Sequence, residues 1–254
     1  MSTHHEQLRL LHRPGDPLLL PNAWDVATAR AVVEAGFPVV ATTSGGIAAT
    51  LGYDDHEGAP GEEMLRAAAR IVAGVEVPCT VDAEAGYGMD PVELAEALHE
   101  IGAAGCNLED SDHARGQLRD PDVQADWLRA VREAAPELVI NARIDVFLAA
   151  LLSGSDKTQA DLLPQALARA EAYLDAGADC VFPIALFEHD SLKTFIEEAA
   201  GPVNVLAIPN APAPEDLASL GAARISWGTL LHTAALQQFK ESLPAAQRPL
   251  STPS

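Results

Sequence analysis

Val81-Asp82-Ala83-Glu84-Ala85-Gly86-Tyr87-Gly88 is the stretch on which the fold turns. An apolar run, 77–81, ends in two carboxylates at i and i+2 and is followed by a Gly-x-Gly turn. In a strand, residues at i and i+2 point to the same face, so Asp82 and Glu84 are expected to project together where the backbone turns away. Two same-facing acids are costly to bury without a cation, a proton or a donor. A divalent metal site is the sharper reading of the pair. An exposed acidic strand edge is the plainer one.

Working outward, the same grammar repeats. Apolar, strand-like runs occupy 17–22, 38–43, 77–81, 106–108, 138–142, 180–184, 203–208 and 223–227. Helical patterns lie between them at 25–35, 91–101, 162–176, 190–200, 214–220 and 229–243. Asp90 is the expected N-cap of the second helix, with Pro91 at its first position. Ala35-Gly36, Ala104-Gly105, Ala176-Gly177 and Leu220-Gly221 read as helix C-termini running straight into strands. Eight βα units of roughly 30 residues match a (β/α)8 TIM barrel. A doubly wound open sheet is the alternative. No linker or low-complexity segment divides the chain, so 1–254 is expected to form one domain, with a soft tail from about 244.

Bulk properties narrow the function. With 254 residues and 48% hydrophobic content the chain can bury a sizeable core. A net charge of −21 argues against nucleic acid and anionic membranes as partners. Cys79, Cys106 and Cys180 stand far apart in apolar stretches, without metal-ligand spacing, and read as buried thiols of a reducing compartment. No apolar run reaches membrane-spanning length and the first residues carry no apolar leader core, so a cytoplasmic protein is expected.

In a barrel the chemistry gathers at the C-terminal ends of the strands. Those ends read Asn22-Ala23-Trp24-Asp25, Thr42-Thr43-Ser44-Gly45-Gly46, Asp82 and Glu84, Asn107-Leu108-Glu109-Asp110, Asn141-Ala142-Arg143-Ile144-Asp145, Phe182-Pro183, Pro209-Asn210 and Ser226-Trp227-Gly228. Asp82, Glu84 and Glu109 can share a hard cation; with no His among them Mg²⁺ suits the set better than zinc. Arg143 can clamp a substrate carboxylate, or merely neutralise Asp145 or Glu109. The Thr-Ser-Gly-Gly loop offers backbone donors to an anionic oxygen, although such turns are usually structural. Asp54 and Asp55 lie in a long loop after the second strand, as an acid/base or as a solvated turn. His56 beside them is expected to be exposed. The polar stretch 110–120 reads as a lid or a plain loop, with His113, Arg115, Gln117 and Arg119 as its possible contacts. His4, His5, His189 and His232 have no acidic partner at a useful spacing and are given no role.

Taken in order, these segments resemble the isocitrate lyase/phosphoenolpyruvate mutase superfamily over roughly residues 15–240. The carrying motifs are Pro21-Asn22-Ala23-Trp24-Asp25, Thr43-Ser44-Gly45-Gly46, Leu51-Gly52-Tyr53-Asp54-Asp55, Asp82-Ala83-Glu84-Ala85-Gly86-Tyr87-Gly88, Leu108-Glu109-Asp110 and Asn141-Ala142-Arg143-Ile144-Asp145. The resemblance implies a barrel whose last helix is exchanged between subunits of a homodimer or homotetramer. It implies Mg²⁺ (or Mn²⁺) near Asp82, with Glu84 and Glu109 contributing directly or through waters. Arg143 would bind the substrate carboxylate, Thr43, Ser44 and Gly45 the 2-oxo oxygen, and Trp24 would line the substrate site. Asp55 fits the family's Gly-x-x-Asp position. Arg115 and Gln117 are rough analogues of lid residues.

The departures bear on the reaction. Glu84 stands where most members carry Asp. The isocitrate and methylisocitrate lyases carry a Lys-x-Cys-Gly-His lid, whereas this chain has Arg115-Gly116-Gln117-Leu118-Arg119, without a thiol. Phe182-Pro183 is followed by Ile184 rather than by the lyases' Glu. The expectation is a Mg²⁺-dependent lyase cleaving a C–C bond in a small 2-oxo or 2-hydroxy dicarboxylate through a pyruvate-like enolate. The alternatives are a P–C bond enzyme of the phosphonopyruvate hydrolase or phosphoenolpyruvate mutase type, and a non-catalytic 2-oxo acid binding protein.

Overall fold

The computed structural model describes residues 3–209 and 211–246. Asn210, expected at the end of the seventh strand, lies outside the described residues, as do 247–254 of the expected tail.

The eight expected strands all form, each within a few residues of its apolar run. They are β1, split into Leu18–Leu20 and Asn22–Ala23, then β2 Val40–Thr42, β3 Cys79–Asp82, β4 Gly105–Glu109, β5 Val139–Ile144, β6 Cys180–Pro183, β7 Asn204–Leu206 and β8 Arg224–Ser226. Asn22–Ala23 pairs with β2, and the parallel order runs on through β3, β4 and β5 to β6. Leu18–Leu20 pairs with β8, which pairs with β7, and a parallel bridge from Val181 to Val203 joins β6 to β7. The split of β1 thus lets one strand close the ring on both sides. The result is the expected (β/α)8 barrel, whose wall has no free edge among the described residues.

Helices surround it: α1 His4–Leu10, α2 Val26–Glu34, α3 Ser44–Leu51, α4 Gly61–Ala73, α5 Pro91–Glu100, α6 Pro121–Ala134, α7 Val146–Leu152, α8 Gln159–Asp175, α9 His189–Glu198, α10 Pro214–Ser219 and α11 Leu230–Ala246. Asp90 caps α5 through Val92 N, with Pro91 in the first turn, as the sequence implied. Asp120 and Pro121 open α6 in the same way, although neither α6 nor α4 is among the expected helices. Two further expectations are corrected. The Thr43–Gly46 segment is not a free loop: Thr43 is the N-cap residue of α3 and Ser44, Gly45 and Gly46 are its first turn. Pro244 does not begin a tail but lies inside α11.

The core covers both faces of the barrel wall. Leu94, Leu98, Leu128, Leu192 and Phe195 from the outer helices pack on Val81, Cys106, Ile140 and Val181. The N-terminal end of the barrel is sealed by α1. Its Leu8 is fully buried among Leu18, Leu20, Val39 and Val139, a burial that stabilises by roughly 2 kcal/mol. The C-terminal end stays open. Among the described residues no helix is long and apolar enough to cross a membrane, and all three cysteines are buried and unpaired.

Candidate active site

At the C-terminal end of the barrel lies a cavity of about 280 Å³, lined by Asn22, Thr43, Ser44, Asp55, Asp82, Asn107 and Arg143, with Phe182, Ile184, Leu206 and Trp227 on the opposite wall. It suits a small molecule with one polar and one apolar side.

Asp82 closes β3 at the floor. Its Oδ2 accepts from Ser44 N at 3.0 Å, so the N-terminus of α3 is aimed at it. Thr42 Oγ1 holds the Asp82 backbone N–H at 2.8 Å. Asp82 Oδ1 is buried and has no hydrogen-bond partner. An orphaned carboxylate oxygen in an acidic cavity fits a bound cation.

Glu84 does not share the strand with Asp82. The strand ends at Asp82, and Glu84 sits in the turn beyond it at φ 48°, which corrects the same-face expectation. Its carboxylate is nonetheless drawn inward to 2% exposure and accepts from Glu57 N at 2.5 Å. Burial pushes the Glu84 carboxyl up to about 8, and the charges of Asp82, Glu109 and Asp55 add to that. Glu57 in turn accepts from Tyr87 N at 2.6 Å, locking the loop after β2 to the loop after β3. His56, Glu57, Glu84 and Tyr87 all carry positive φ. Such strain persists only where surrounding contacts over-determine it, and it clusters at functional sites.

Glu109, at the end of β4, is 2% exposed and pairs with Arg143 Nη2 at 2.5 Å and with His113. Burial pushes the Glu109 carboxyl up against the pull of Arg143, and the hydrogen bond with Glu109 raises His113. Arg143 also grips Asp145, through Nε at 2.6 Å and Nη2 at 2.8 Å. The neutralising role and the cavity-lining role of Arg143 therefore coexist; Nη1 is the nitrogen left without a carboxylate. Asp82, Glu84 and Glu109 are electrostatically coupled. Among the described residues, however, no three acid, imidazole or thiol groups form a ready-made ligand set.

Asp55, half-buried, faces the cavity, whereas Asp54 is exposed outside it. Asp55 Oδ1 accepts from Ser44 Oγ at 3.2 Å and from His56 N at 3.0 Å. Gly45 stands directly behind it: a Cβ there would lie 2.5 Å from Asp55 Oδ2 and 2.8 Å from Thr229 Oγ1. The second residue of the Ser-Gly-Gly motif is thus set by close approach rather than by turn geometry. Thr43 Oγ1 pairs with Thr229 Oγ1 at 2.9 Å.

Other expected residues fall elsewhere. Trp24 packs behind α3, edge-on to His232 at 5.1 Å, and does not line the cavity. The 110–120 segment is a short hairpin, Ser111–Asp112 against Gln117–Leu118. Arg115 lies in its turn, pairs with Asp112 at 2.9 Å and faces solvent. Gln117 is exposed and borders a neighbouring cavity between the hairpin and α7. Arg119 staples the hairpin base to Ala85 O and Gln124. The hairpin residue that does reach the floor is His113, through Glu109, with His56 against its ring at 5.4 Å. His56 is exposed, as expected.

Two strand-end residues turn out to be supports through contacts that the sequence does not show. Asn22 holds Thr42 O through Nδ2 and accepts from Trp227 N and Gly228 N, tying β1 to the end of β8. Asp110 is fully buried beneath the hairpin, receiving Arg169, Tyr173 and Asp145 N. These partners stand 20 to 206 residues away, so no local spacing announces them.

A family model described as phosphoenolpyruvate phosphomutase matches residues 8–246. An uncharacterised protein of Mycobacterium tuberculosis is 36% identical over 227 residues, covering 89% of this chain and 83% of its own length. The 2-methylisocitrate lyase of Bacillus subtilis is 30% identical over 210 residues, 79% of this chain and 65% of the lyase. Among solved structures, a candidate phosphonomutase from Burkholderia cenocepacia is 38% identical, covers 96% of this chain and all of its own, and has a TM-score of 0.88. A 2,3-dimethylmalate lyase, 24% identical at a TM-score of 0.83 with 98% of this chain and 86% of its own covered, shares the fold.

Proposed function

The chain belongs to the isocitrate lyase/phosphoenolpyruvate mutase superfamily, and from that premise we propose that it is a Mg²⁺-dependent lyase acting on a small 2-oxo or 2-hydroxy dicarboxylate. The observation that carries the proposal is the orphaned Asp82 Oδ1 in a cavity that Asp55 also lines, with the buried carboxylates of Glu84 and Glu109 adding to the negative charge around it.

Mg²⁺, or Mn²⁺ in its place, would be held by Asp82, with Glu84 and Glu109 acting through waters because each already has a protein partner. When bound, the ion supplies Lewis-acid polarisation of the substrate's 2-oxo or 2-hydroxy oxygen. The chain's own residues do the rest. Arg143 Nη1 binds the substrate carboxylate while Asp145 and Glu109 fix the guanidinium plane. Thr43 and Ser44 border the oxygen on which charge develops, and Gly45 lets Asp55 approach. Asp55, oriented by the Ser44 hydroxyl and His56 N, moves the proton at the reacting carbon or oxygen. Phe182, Ile184 and Leu206 form the apolar wall and leave no place for a third carboxylate. Catalytic contact from Arg115 or Gln117 requires the hairpin to close further than it does in this structure.

The homo-oligomer with an exchanged last helix is part of this proposal. On α11, Leu236, Phe239 and Leu243 form an exposed apolar stripe that a neighbouring subunit would cover. A cytoplasmic location accords with the three unpaired cysteines.

The likeness to a candidate phosphonomutase keeps P–C cleavage as the second reading. One assay separates the readings: purified protein with Mg²⁺ is incubated with oxaloacetate, substituted malates and phosphonopyruvate. A 2-oxo acid product from a dicarboxylate supports the lyase. Phosphate release from phosphonopyruvate supports the second reading. Mg²⁺-dependent binding without any product means a binding protein.

A further inference from the structure

Asn107 lies on β4, one inward-facing step below Glu109, and lines the cavity floor. Two donors meet its side-chain oxygen from beneath. Arg224 Nη2, on β8, donates to Asn107 Oδ1 at 3.0 Å, and Asn141 Nδ2, on β5, donates to the same oxygen at 2.9 Å. A guanidinium can only donate, so the Asn107 oxygen must face down towards Arg224. The Asn107 NH₂ group must then face the other way. Among the described residues no acceptor takes its hydrogens.

The network beneath does not satisfy itself. Arg224 is 1% exposed, yet its Nε and Nη1 have no partner, and neither does Asn141 Oδ1. Burying a cation this way is costly. What the arrangement does achieve is an amide with its orientation fixed before any ligand arrives. The other polar groups of the cavity are largely committed. Ser44 Oγ donates to Asp55, Thr43 pairs with Thr229, and Arg143 commits Nε and Nη2 to Asp145 and Glu109. The Asn107 amide is an uncommitted donor on a floor otherwise dominated by acceptors.

We propose that Asn107 is a substrate-binding residue whose Nδ2 donates to an anionic oxygen of a small carboxylate ligand, and that Arg224 is the positioning residue that holds it. This rests on the reading of the cavity as the substrate site. Asn107 selects for an acceptor at the inner end of the ligand. An analogue with a hydrogen or a methyl group there leaves the amide buried and unpaired.

The test is calorimetric titration of the full chain with oxalate in the presence of Mg²⁺, oxalate being a planar dianion with the shape of a pyruvate enolate. In Asn107→Asp the carboxylate still accepts from Arg224 and Asn141 and gains a buried ion pair, so the Tm stays level or rises. It also places a lone pair where the donor stood, and oxalate binding weakens by about 100-fold or more. Asn107→Ala weakens binding by roughly 10-fold or more through loss of one charge-assisted hydrogen bond. Arg224→Met weakens binding as well, but adds little in the Asn107→Ala background, since Arg224 acts through Asn107. Oxalate binding by Asn107→Asp within about threefold of the unmodified protein overturns the assignment. So does a loss of binding that comes only with a matching fall in Tm. If the unmodified protein itself binds no oxalate, the substrate-site reading fails and this assignment with it. If it binds and the variants do not differ, only this assignment fails.

Discussion

The two ends of the barrel handle charge in opposite ways. At the N-terminal end Asp179 gathers Arg9 at 2.8 Å, Arg132 at 2.5 Å and Ile140 N at 2.9 Å, above the apolar seal of Leu8. At the C-terminal end Asp55, Asp82, Glu84, Glu109 and Asp145 crowd around Arg143, in loops that hold four non-glycine residues at positive φ. The carboxylate below has partners on both oxygens, whereas Asp82 above keeps one oxygen without any. The fold's stability is invested below, which lets the upper rim keep groups that only a ligand completes.

The comparison can be broken in several places. The largest effect belongs to Asp82→Asn: turnover should fall by at least about 1,000-fold, while the Tm stays level or rises, because the charge behind the unpartnered Oδ1 is removed and the amide oxygen can still accept from Ser44 N. Steady-state kinetics with a melting curve checks both halves; a large Tm loss would make Asp82 structural. The converse change is Leu8→Ala, which empties the lower seal and should cost roughly 2–5 kcal/mol in denaturant unfolding with KM unchanged.

pH pulls the two ends apart. Burial lowers the lower-end His12 from 6.5 to about 4, with its Nδ1 donating to Leu8 O. Its contribution is present above 6.5 and is lost as pH falls towards 4, up to roughly 3 kcal/mol. Glu84 has the opposite sign. Its carboxyl is raised from 4.5 to about 8, so metal-free stability is full below 4.5 and is lost as pH rises through 8. Unfolding curves across that range should lose their acid limb in His12→Phe and their alkaline limb in Glu84→Gln. Retention of both limbs in the variants would remove these groups as the cause. The smallest expected effect is Gly45→Ala. The added methyl pushes Asp55 and Thr229 aside, lowering kcat by about 10-fold or more at a stability cost of about 1 kcal/mol.

Much of this was legible in the chain. The strands read out because each is a short apolar run bounded by helix-ending glycine or by a polar rim. Asp82, Glu109 and Arg143 read out because barrel chemistry sits at strand ends, whereas spacing left Asp54 and Asp55 open and only the family resemblance preferred Asp55. The Ser-Gly-Gly segment misled because two glycines imitate a turn, whereas here the first, Gly45, makes room for Asp55 and the serine N–H anchors on Asp82 at the start of a helix. Glu84 misled because alternation cannot show that a strand stops two residues early. Asn107 and Asp110 were visible at the end of the fourth strand, but their partners Arg224, Arg169 and Tyr173 were out of reach, since these contacts join strands and helices 59–117 residues apart. His113 was visible as a possible contact of a lid or plain loop, but its partner Glu109 was not.

The central claim is that the acid-crowded rim is completed by a divalent cation seated on Asp82. It is tested most directly by titrating metal-free protein with Mg²⁺ in a calorimeter, alongside Asp82→Ala. Saturable binding with a rise in Tm, both lost in the variant, is the predicted result. No binding by the unmodified protein, or equal binding by Asp82→Ala, would contradict it.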